Sequence, residues 1–598
     1  MADADVSELE DRLGFKIPDH WDRRYATNLE ELSAPEYDVR VEEDVPVEAR
    51  NGETIRVDVF RPDTDDEAFP GLLAIAGYGK ASQSVDIPPQ PFESHVFDHT
   101  IEAGDIDFFV ERGYAFVVAD PQGIGTSSGE WHGAYSQQEQ EDGYDVIEWM
   151  AEQDWCTGKV GMSGISYYGF MQMLVAGEQP PHLEAIMPIE ACDDHYRHTY
   201  RGGVLVPFYF DLESTVTFNN PVPKSHLLYD DDELDAMVEA RLEDQQIKNN
   251  SYLVKVLTTR PPTAHPLFFD VLLHPYDGEY WREKSAVEKY EDVDVPVYLA
   301  DPWATYGRYS DSVFTAFTDD DLDVPKKAAV LESHADARFP YRKANEEMLR
   351  WYDHHLKGVD TGLFDEPPMK LFVQGTGDYR WEEEWPLERT EWTKLYLNRF
   401  GELDRTPERD ADLPSDPLTH RPPTVTTEVP SLEYTTDPLT DAVEVTGPLA
   451  LNLHARVDSP DAYFLCKLFD VDPAGEEHLV TQGQLKACFR TLREEESEPY
   501  APVHDFTEPD PVDPDQIYEH AIGFIRTSYV FKPGHRLRLR LQTMDPQPVG
   551  KSIKADHMGP IPNFEEIRYD VFRDADRPSH LLLPVVPESN DDAWVEPF

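Results

Sequence analysis

The segment from Lys159 to Phe170 constrains the fold of this chain more than any other. A short apolar run stops at the Gly-X-Ser step Gly164-Ile165-Ser166, and a helix-like segment follows at once. A serine on so sharp a strand-to-helix turn carries its hydroxyl clear of the backbone, and the next backbone N–H groups face the same space. Gly164 leaves room for the turn, and Gly169 lets the helix pack closely. Matches to this pattern are common, so an ordinary turn serine is the alternative unless the rest of the chain supplies partners.

The surrounding sequence alternates buried-type strands with helices. Residues 37–65 show the period of antiparallel strands, and near-continuous apolar strands then alternate with helical segments. Such strands are typical of a mostly parallel sheet with helices on both faces. Strands are predicted at 72–76, 115–119, 183–188, 295–300 and 328–331, and helices at 139–152, 167–176, 231–246 and 342–356.

The pattern divides the chain into an α/β domain in two parts, an insertion and a β-rich end. We expect the first α/β part at 37–194, a helical cap at 195–292, the second α/β part at 293–385 and a jelly-roll β-sandwich at 386–598. In the last region short strands are separated by turn residues, and they are predicted at 449–457, 463–471, 520–531 and 537–543.

The charge of the chain excludes several classes of function. Its 598 residues include 118 acidic and 52 basic ones, for a net charge of −66. Binding to nucleic acid or to an anionic membrane requires a basic face, so neither is expected. Carboxylates spread over the whole chain favour a halophilic protein in a salty cytoplasm, where salt screens their repulsion. Four scattered cysteines predict neither a disulfide framework nor a zinc module.

A serine nucleophile needs a base, and usually an acid to orient that base. In this sheet architecture the order along the chain is serine, acid, histidine. His334 follows the last apolar strand of the sheet and is the expected base. The acid should follow the strand that ends at Ala300, where Asp301 and Asp311 are the candidates. Each has an ordinary structural alternative, because Asp311 also suits a helix N-cap and Asp301, before Pro302, also suits a turn. Asp301 is the preferred candidate.

An oxyanion hole requires hydrogen-bond donors aimed at the developing negative charge. The backbone N–H of Tyr167 comes with the serine turn, and the Tyr78 hydroxyl, in the loop after the strand ending at Ala76, is the expected second donor. Cys192, His195 and His198 lie near one another in sequence, but their spacing is not that of a known ligand set. A polar loop is the favoured interpretation of these residues, and no metal or cofactor is expected.

Several blocks, taken in order, resemble the cocaine-esterase and X-Pro dipeptidyl-peptidase family of serine hydrolases. The resemblance covers roughly residues 40–590. Its carriers are Tyr78-Gly79-Lys80, the run from Asp120 to Gly129, the serine turn, and later blocks at 351–358, 441–447 and 531–536. The family is similar in having a bulky residue where this chain has Tyr168.

This resemblance implies an α/β-hydrolase domain with an inserted helical cap and a C-terminal jelly roll. It also implies Ser166 as the nucleophile, His334 as the base, and Tyr78 with the Tyr167 N–H as oxyanion donors. The chain departs from the family pattern at two positions. Thr305 stands where the family has its catalytic aspartate, and Gln122 stands where the family has an arginine.

The expected function is therefore hydrolysis of an ester or amide acyl bond, with X-Pro dipeptidyl-peptidase activity as one form of it. The substrate would be a small ester, an amide or a short peptide. Because Thr305 replaces the acid, a catalytically weak or inactive binding protein on the same fold is the alternative. A homo-oligomer is left open by the sequence.

Overall fold

The computed structural model describes most of the chain in two large sheets with helices around the first. The described residues are 3–18, 21, 24, 26–83, 102–206, 229–262, 266–303, 310–332, 342–407, 414–422, 425, 428–545 and 563–587. Together they confirm the α/β-hydrolase fold with an inserted helical region and a C-terminal β-sandwich.

The first sheet has ten strands in the order β1-β2-β4-β3-β5-β6-β9-β10-β11-β12. From β4 to β11 neighbouring strands are parallel, whereas β1, β2 and β12 add antiparallel edges. The central strands are buried along nearly their whole length, as expected of a parallel sheet covered on both faces. The strands are β1 Val39–Glu48, β2 Thr54–Pro62, β3 Phe69–Ile75, β4 Ala115–Asp120, β5 Cys156–Met162, β6 Leu183–Ile186, β9 Val297–Pro302, β10 Lys326–Leu331, β11 Met369–Val373 and β12 Asp378–Glu382.

Helices lie before and between the strands of this sheet, and all but the first, whose apolar residues form a separate cluster, pack on it. The predicted helices at 139–152, 167–176 and 342–356 are confirmed within a few residues. They are α3 and α4, which flank the serine turn, and α12, which packs on β5 and β6. The helices in this part are α1 Asp3–Leu13, α2 Ile106–Val110, α3 Gln137–Ala151, α4 Tyr167–Ala176, α11 Ser310–Thr318 and α12 Arg342–Lys357.

Between β6 and β9 the chain leaves the sheet, and the described residues of this segment form short helices and one small hairpin. The single helix predicted at 231–246 is wrong, because the chain ends one helix at Leu242 and begins another at Gln245. The Asp244 carboxylate accepts the N–H of Gln246 and so caps the second helix. The elements are α5 His195–Thr199, β7 Tyr200–Arg201, β8 Val204–Leu205, α6 Asp231–Leu242, α7 Gln245–Lys248, α8 Ser251–Thr258, α9 Pro266–Leu273 and α10 Glu279–Arg282.

In the described part of the chain the second sheet system contains thirteen strands, β13 to β25. They are β13 Glu391–Asn398, β14 Glu402–Asp404, β15 Ser415–His420, β16 Ser431–Thr435, β17 Val443–Gly447, β18 Ala450–Val457, β19 Tyr463–Val471, β20 Glu477–Lys486, β21 Tyr518–Gly523, β22 Thr527–Phe531, β23 Arg536–Gln542, β24 Ile567–Phe572 and β25 His580–Val586. The strand predicted at 520–531 is wrong as one element. It is two strands, because β21 pairs with β18 whereas β22 pairs with β17.

Four cysteines lie in these two sheets and the region between them, and all four are free and buried. This agrees with the absence of a disulfide framework expected from their number.

Among the helices within the described residues, none has the length and apolarity that crossing a bilayer demands.

A buried ion cluster fixes α12 to the strands beneath it. Arg350 is fully buried, and its guanidinium lies 2.5 Å from Glu366 and donates to the carbonyl of Thr361. The ammonium of Lys327 lies 3.3 Å from the other carboxylate oxygen of Glu366. Removing one partner of a buried ion pair is costly, because it leaves the other charge without full compensation.

We therefore predict that Arg350→Met lowers the free energy of unfolding by about 3–5 kcal/mol. Lys16→Met is the matched control, since the Lys16 side chain is 87% exposed and its pair with Glu10 should contribute little to the free energy of unfolding. The free energy of unfolding of each variant is to be measured by denaturant unfolding at fixed salt. Equal stability of the two variants would contradict the role assigned to the cluster.

Candidate active site

Ser166 occupies a sharp turn between β5 and α4. Its backbone has φ 57° and ψ −119°, a conformation that side-chain-bearing residues rarely adopt. Its N–H donates to the carbonyl of Ile189 (2.9 Å), and its carbonyl accepts the N–H of Phe170 (2.8 Å). The two hydrogen bonds hold the strained residue at the first turn of α4, and the N-terminus of a helix is a favourable place for a negative charge.

The two glycines of the turn are required by close contacts. A Cβ at Gly164, where φ is +125°, would lie 2.2 Å from the Cβ of Tyr168. A Cβ at Gly169 would lie 2.5 Å from the carbonyl oxygen of Ile189, just beyond the end of β6. Gly169 therefore lets α4 approach the chain after β6, and this contact places Ser166 beside the carboxyl edge of the sheet.

Three tyrosines pack together next to Ser166. Tyr78 lies in the loop after β3, and its ring centroid is 5.3 Å from that of Tyr167 and 6.1 Å from that of Tyr168. All three side chains are at most 1% exposed. The structure therefore brings Tyr78 and Tyr167, both predicted from the sequence, to the start of the helix that follows Ser166.

The hydroxyl of Tyr167 is hydrogen-bonded to a buried carboxylate that the sequence did not reveal. The two carboxylate oxygens of Glu139, on α3, lie 2.9 and 2.8 Å from the Tyr167 hydroxyl that donates to them. Glu139 also accepts from the indole of Trp131 (2.7 Å) and the N–H of Tyr135 (2.6 Å). Burial raises the pKa of Glu139 to about 7, although these donors favour its charged form. A glutamate in the first turn of a helix carries no sequence signal of such a role.

Two buried acids lie beyond Ser166 along the carboxyl edge of the sheet. Asp301 is the next-to-last residue of β9 and is fully buried. Glu190 follows β6, is also fully buried, and has a left-handed backbone with φ 50°. Its N–H donates to the carbonyl of Ala300 (2.9 Å), so the ends of β6 and β9 are joined here. Glu190 is a second carboxylate that the sequence analysis missed.

Asp311 forms an ion pair with Arg526 of the β-sandwich region. It lies in the first turn of α11, which begins at Ser310, so it is not the N-cap that its sequence suggested. Its carboxylate accepts the backbone N–H of Arg526 (3.0 Å) and lies 3.2 Å from the Arg526 guanidinium. Arg526 belongs to the break between β21 and β22, and this pair therefore joins the first sheet region to the β-sandwich.

His334 and Thr305 lie outside the described residues, so the structure describes neither the predicted base nor the residue at the family's acid position. The strand before His334 is described: β10 ends at Leu331, beside β9 in parallel register. The strand ends that precede the predicted serine, acid and base thus occur in the order β5, β6, β9, β10 along one edge of the sheet.

The polar residues Cys192 and His195 are buried and contact each other. The Cys192 thiol lies 3.5 Å from Nδ1 of His195, and burial raises the thiol's pKa well above its ordinary value. Burial also lowers the pKa of His195 to about 3, so neither group is charged near neutral pH.

Asp472, Glu476 and His478 lie on a hairpin of the second sheet. Among the described residues, they form a group whose possible metal-ligand atoms all lie within 4.8 Å of one another.

A cavity of about 660 Å³ lies between the helical insertion, α11 and the β-sandwich. Its wall includes Asp193, Asp311, Arg493 and Arg526, and Ser166 is not among the lining residues. Asp311 therefore faces the seam between the two sheet regions.

Two family profiles match the chain in succession. The profile of the X-Pro dipeptidyl-peptidase (S15 family) matches residues 51–319, and that of the X-Pro dipeptidyl-peptidase C-terminal non-catalytic domain matches residues 361–581. The first match contains the serine turn and most of the first sheet, and the second contains most of the β-sandwich.

Relatives and solved structures agree with these profiles. The chain is 27% identical to a cocaine esterase of Rhodococcus sp., over 91% of this chain and 98% of that protein. It is 22% identical to a putative Xaa-Pro dipeptidyl-peptidase of Bacillus anthracis, over 82% and 80%. A CocE/NonD family hydrolase from Staphylococcus aureus has the same fold, with a TM-score of 0.72, 22% identity and coverage of 91% and 93%.

The pKa of Glu139 leads to a prediction about stability. Because the native pKa is about 7 and the ordinary value is 4.5, the native protein holds the proton more tightly than the unfolded chain does. The stabilisation that comes from protonated Glu139 is then fully present below about pH 4.5 and is lost as pH rises through about 7. The free energy of unfolding should fall by about 3 kcal/mol over this range.

Glu139→Gln removes this titration, so the stability difference between wild type and variant should shift by about that amount across the same pH range. Denaturant unfolding of both proteins from pH 4 to 8 measures it. A difference that stays constant with pH would show that Glu139 does not titrate in this range.

Proposed function

Because the chain belongs to the cocaine-esterase and X-Pro dipeptidyl-peptidase family of serine hydrolases, we propose that Ser166 is the nucleophile that cleaves an ester or amide acyl bond. The observation that carries the proposal is the strained backbone of Ser166 at the turn from β5 into α4. Such strain at a serine that begins a helix is expected of a nucleophile and is not needed in an ordinary turn.

The proposed reaction has two steps. The Ser166 hydroxyl attacks the carbonyl carbon while His334 takes its proton, and His334 then passes that proton to the leaving alcohol or amine. Water next attacks the acyl-enzyme, again losing a proton to His334, and the acid is released as Ser166 recovers its hydrogen. The place of β10 next to β9, immediately before His334 in sequence, supports this role of the histidine.

The proposed oxyanion hole consists of the Tyr167 N–H and the Tyr78 hydroxyl. The buried packing of the Tyr78 ring against Tyr167 and Tyr168 supports it, since that packing restricts the phenol to the region of the helix start. Donors fixed before the reaction stabilise the tetrahedral intermediate without a cost of reorganisation.

For the orienting acid we propose Asp301 rather than Asp311. Asp301 is buried at the end of the strand that neighbours the one leading to His334, whereas Asp311 is paired with Arg526. Glu190 is the second candidate, because it is buried one strand closer to Ser166. Either carboxylate would take the role that Thr305 cannot fill.

We include in the proposal the division of the chain at 37–194, 195–292, 293–385 and 386–598, with the helical cap and jelly roll walling the substrate site. A cytoplasmic location and adaptation to high salt are proposed from the net charge of −66. Assays are therefore best made in molar KCl.

The nucleophile is tested with a fluorophosphonate probe that labels activated serines. Wild type should be labelled, whereas Ser166→Ala and His334→Ala should not, because the first lacks the attacking oxygen and the second lacks the base. Ser163→Ala is the matched control, since Ser163 is buried in the same segment and donates to the carbonyl of Ala103. Equal labelling of wild type and Ser166→Ala would overturn the proposal.

The acid is tested by kcat of three variants. Asp301→Asn should lower kcat by about 10²–10⁴-fold, because the imidazole loses its orienting carboxylate. Asp311→Asn should leave kcat within about threefold, and Glu190→Gln shows whether the second carboxylate contributes. A full loss in Asp311→Asn with none in Asp301→Asn would reverse the assignment.

The substrate class is tested by paired assays with a short acyl ester and an X-Pro anilide. Relatives named as esterase and as dipeptidyl-peptidase leave both chemistries within the proposal. Turnover of one substrate that is abolished in Ser166→Ala identifies the class. Turnover of neither, together with no probe labelling, would favour a binding protein on the hydrolase fold.

A further inference from the structure

The loop that carries Tyr78 ends at Lys80, whose charged side chain is buried. We propose that Lys80 is a positioning residue: its ion pairs with Asp44 and Asp58 fix the loop from Gly77 to Lys80 and thereby set the place of the Tyr78 hydroxyl in the oxyanion hole. This inference rests on the proposed function of Ser166 and Tyr78.

The side chain of Lys80 is held by two carboxylates. Its Nζ lies 2.8 Å from Oδ1 of Asp44 and 2.8 Å from Oδ1 of Asp58, and the Lys80 side chain is only 6% exposed. Burial opposes the charge of Lys80, but its hydrogen bonds to Asp44 and Asp58 outweigh burial and raise its pKa above the ordinary value. A charged ammonium in this environment cannot move away from its carboxylates without a large loss of free energy.

The backbone of Lys80 is held as well. Its N–H donates to Oδ1 of Asp120 at 2.6 Å, at the end of β4. Gly79 has φ +91°, so the chain turns sharply between Tyr78 and Lys80. Both the side chain and the N–H of residue 80 are therefore tied to β1, β2 and β4, two residues from the tyrosine.

The other side of the loop is closed by Tyr167. A Cβ added at Gly77 would lie 3.1 Å from the Tyr167 hydroxyl, so the loop backbone passes directly over that side chain. The segment from Gly77 to Lys80 thus lies between Tyr167 on one side and the ion cluster on the other. Tyr78 is the residue between these two fixed points.

This arrangement also accounts for the block from Asp120 to Gly129, which the catalytic proposal leaves without a role. The hydroxyl of Thr126 donates to the Asp44 oxygen that Lys80 contacts (2.7 Å), and Ser127 donates to the carbonyl of Asp120 (2.6 Å). A Cβ at Gly125 would lie 2.0 Å from the Asp120 carboxylate. The block wraps around the carboxylates that hold Lys80.

The position of a phenol donor matters because the stabilisation of an oxyanion depends steeply on distance. Donors must lie at about 2.7–3.1 Å from the oxyanion, and misplacement by about 1 Å can cost about 10²-fold in rate. A lysine that acts only through Tyr78 should therefore change kcat, leave KM nearly unchanged, and have no effect once the Tyr78 hydroxyl is absent.

The test is a double-mutant cycle with Lys80→Met, Tyr78→Phe and the double variant, on whichever substrate wild type turns over. We expect Tyr78→Phe to lower kcat by about 10²-fold or more. Lys80→Met should lower kcat by about 10–10²-fold with KM within about twofold. The double variant should equal Tyr78→Phe alone within about threefold, because the two changes act on one interaction.

Independent, multiplying losses in the double variant would overturn the inference, since they would mean that Lys80 acts on stability in general. Full kcat in Lys80→Met would overturn it too. If Lys80→Met does not fold, Asp58→Asn replaces it in the same cycle, with the same expectations. Lys16→Met, at an exposed position shortly after α1, is the control for loss of a lysine charge.

The outcomes separate this inference from the proposed function. Loss of probe labelling in Ser166→Ala together with an additive cycle removes only the role of Lys80. Full kcat in Tyr78→Phe removes the oxyanion role of Tyr78 and the role of Lys80, while Ser166 remains the nucleophile. Equal probe labelling of Ser166→Ala removes both proposals.

Discussion

The hydrogen bond from the Ser166 N–H to the carbonyl of Ile189 is the interaction on which the candidate site depends. It joins the end of β5 to the chain after β6 and holds Ser166 in a strained backbone conformation. The strain persists because Gly164 and Gly169 let neighbouring groups come closer than any side chain would allow. The large buried sheet supplies the free energy that keeps this turn in place.

Several buried ionisable groups lie near that turn, in addition to those in the Arg350 cluster. Glu139 receives the Tyr167 hydroxyl, Lys80 joins two carboxylates behind Tyr78, and Asp301 and Glu190 line the next strand ends. Each buried charge costs free energy unless it is well paired. The contacts of Glu139 and Lys80 restrain Tyr167 and the loop of Tyr78, which suits a site that must not reorganise during a reaction.

The element pattern of the sequence predicted most of the fold. Strands such as β3, β4 and β19 and helix α4 are mostly apolar runs, α12 has large apolar residues at helical spacing, and the structure confirms these elements. Two elements were predicted as continuous and are broken. Asp244 caps a new helix, and the chain between β21 and β22 changes strand partners while Arg526 reaches Asp311. Partner exchange depends on contacts distant in sequence, so a local pattern cannot show it.

What the sequence by itself determined is the family, the fold class and the serine turn, because a Gly-X-Ser step between an apolar strand and a helix is a local pattern. It also named Tyr78 and Tyr167, which follow from their place next to strand ends. Only the tertiary structure decided the carboxylates, because Glu139, Glu190 and the partners of Lys80 are brought to Ser166 by strands and helices far apart in the chain. A carboxylate has the same sequence signature on the surface of this acidic protein as in its core, and only burial and partners distinguish the two.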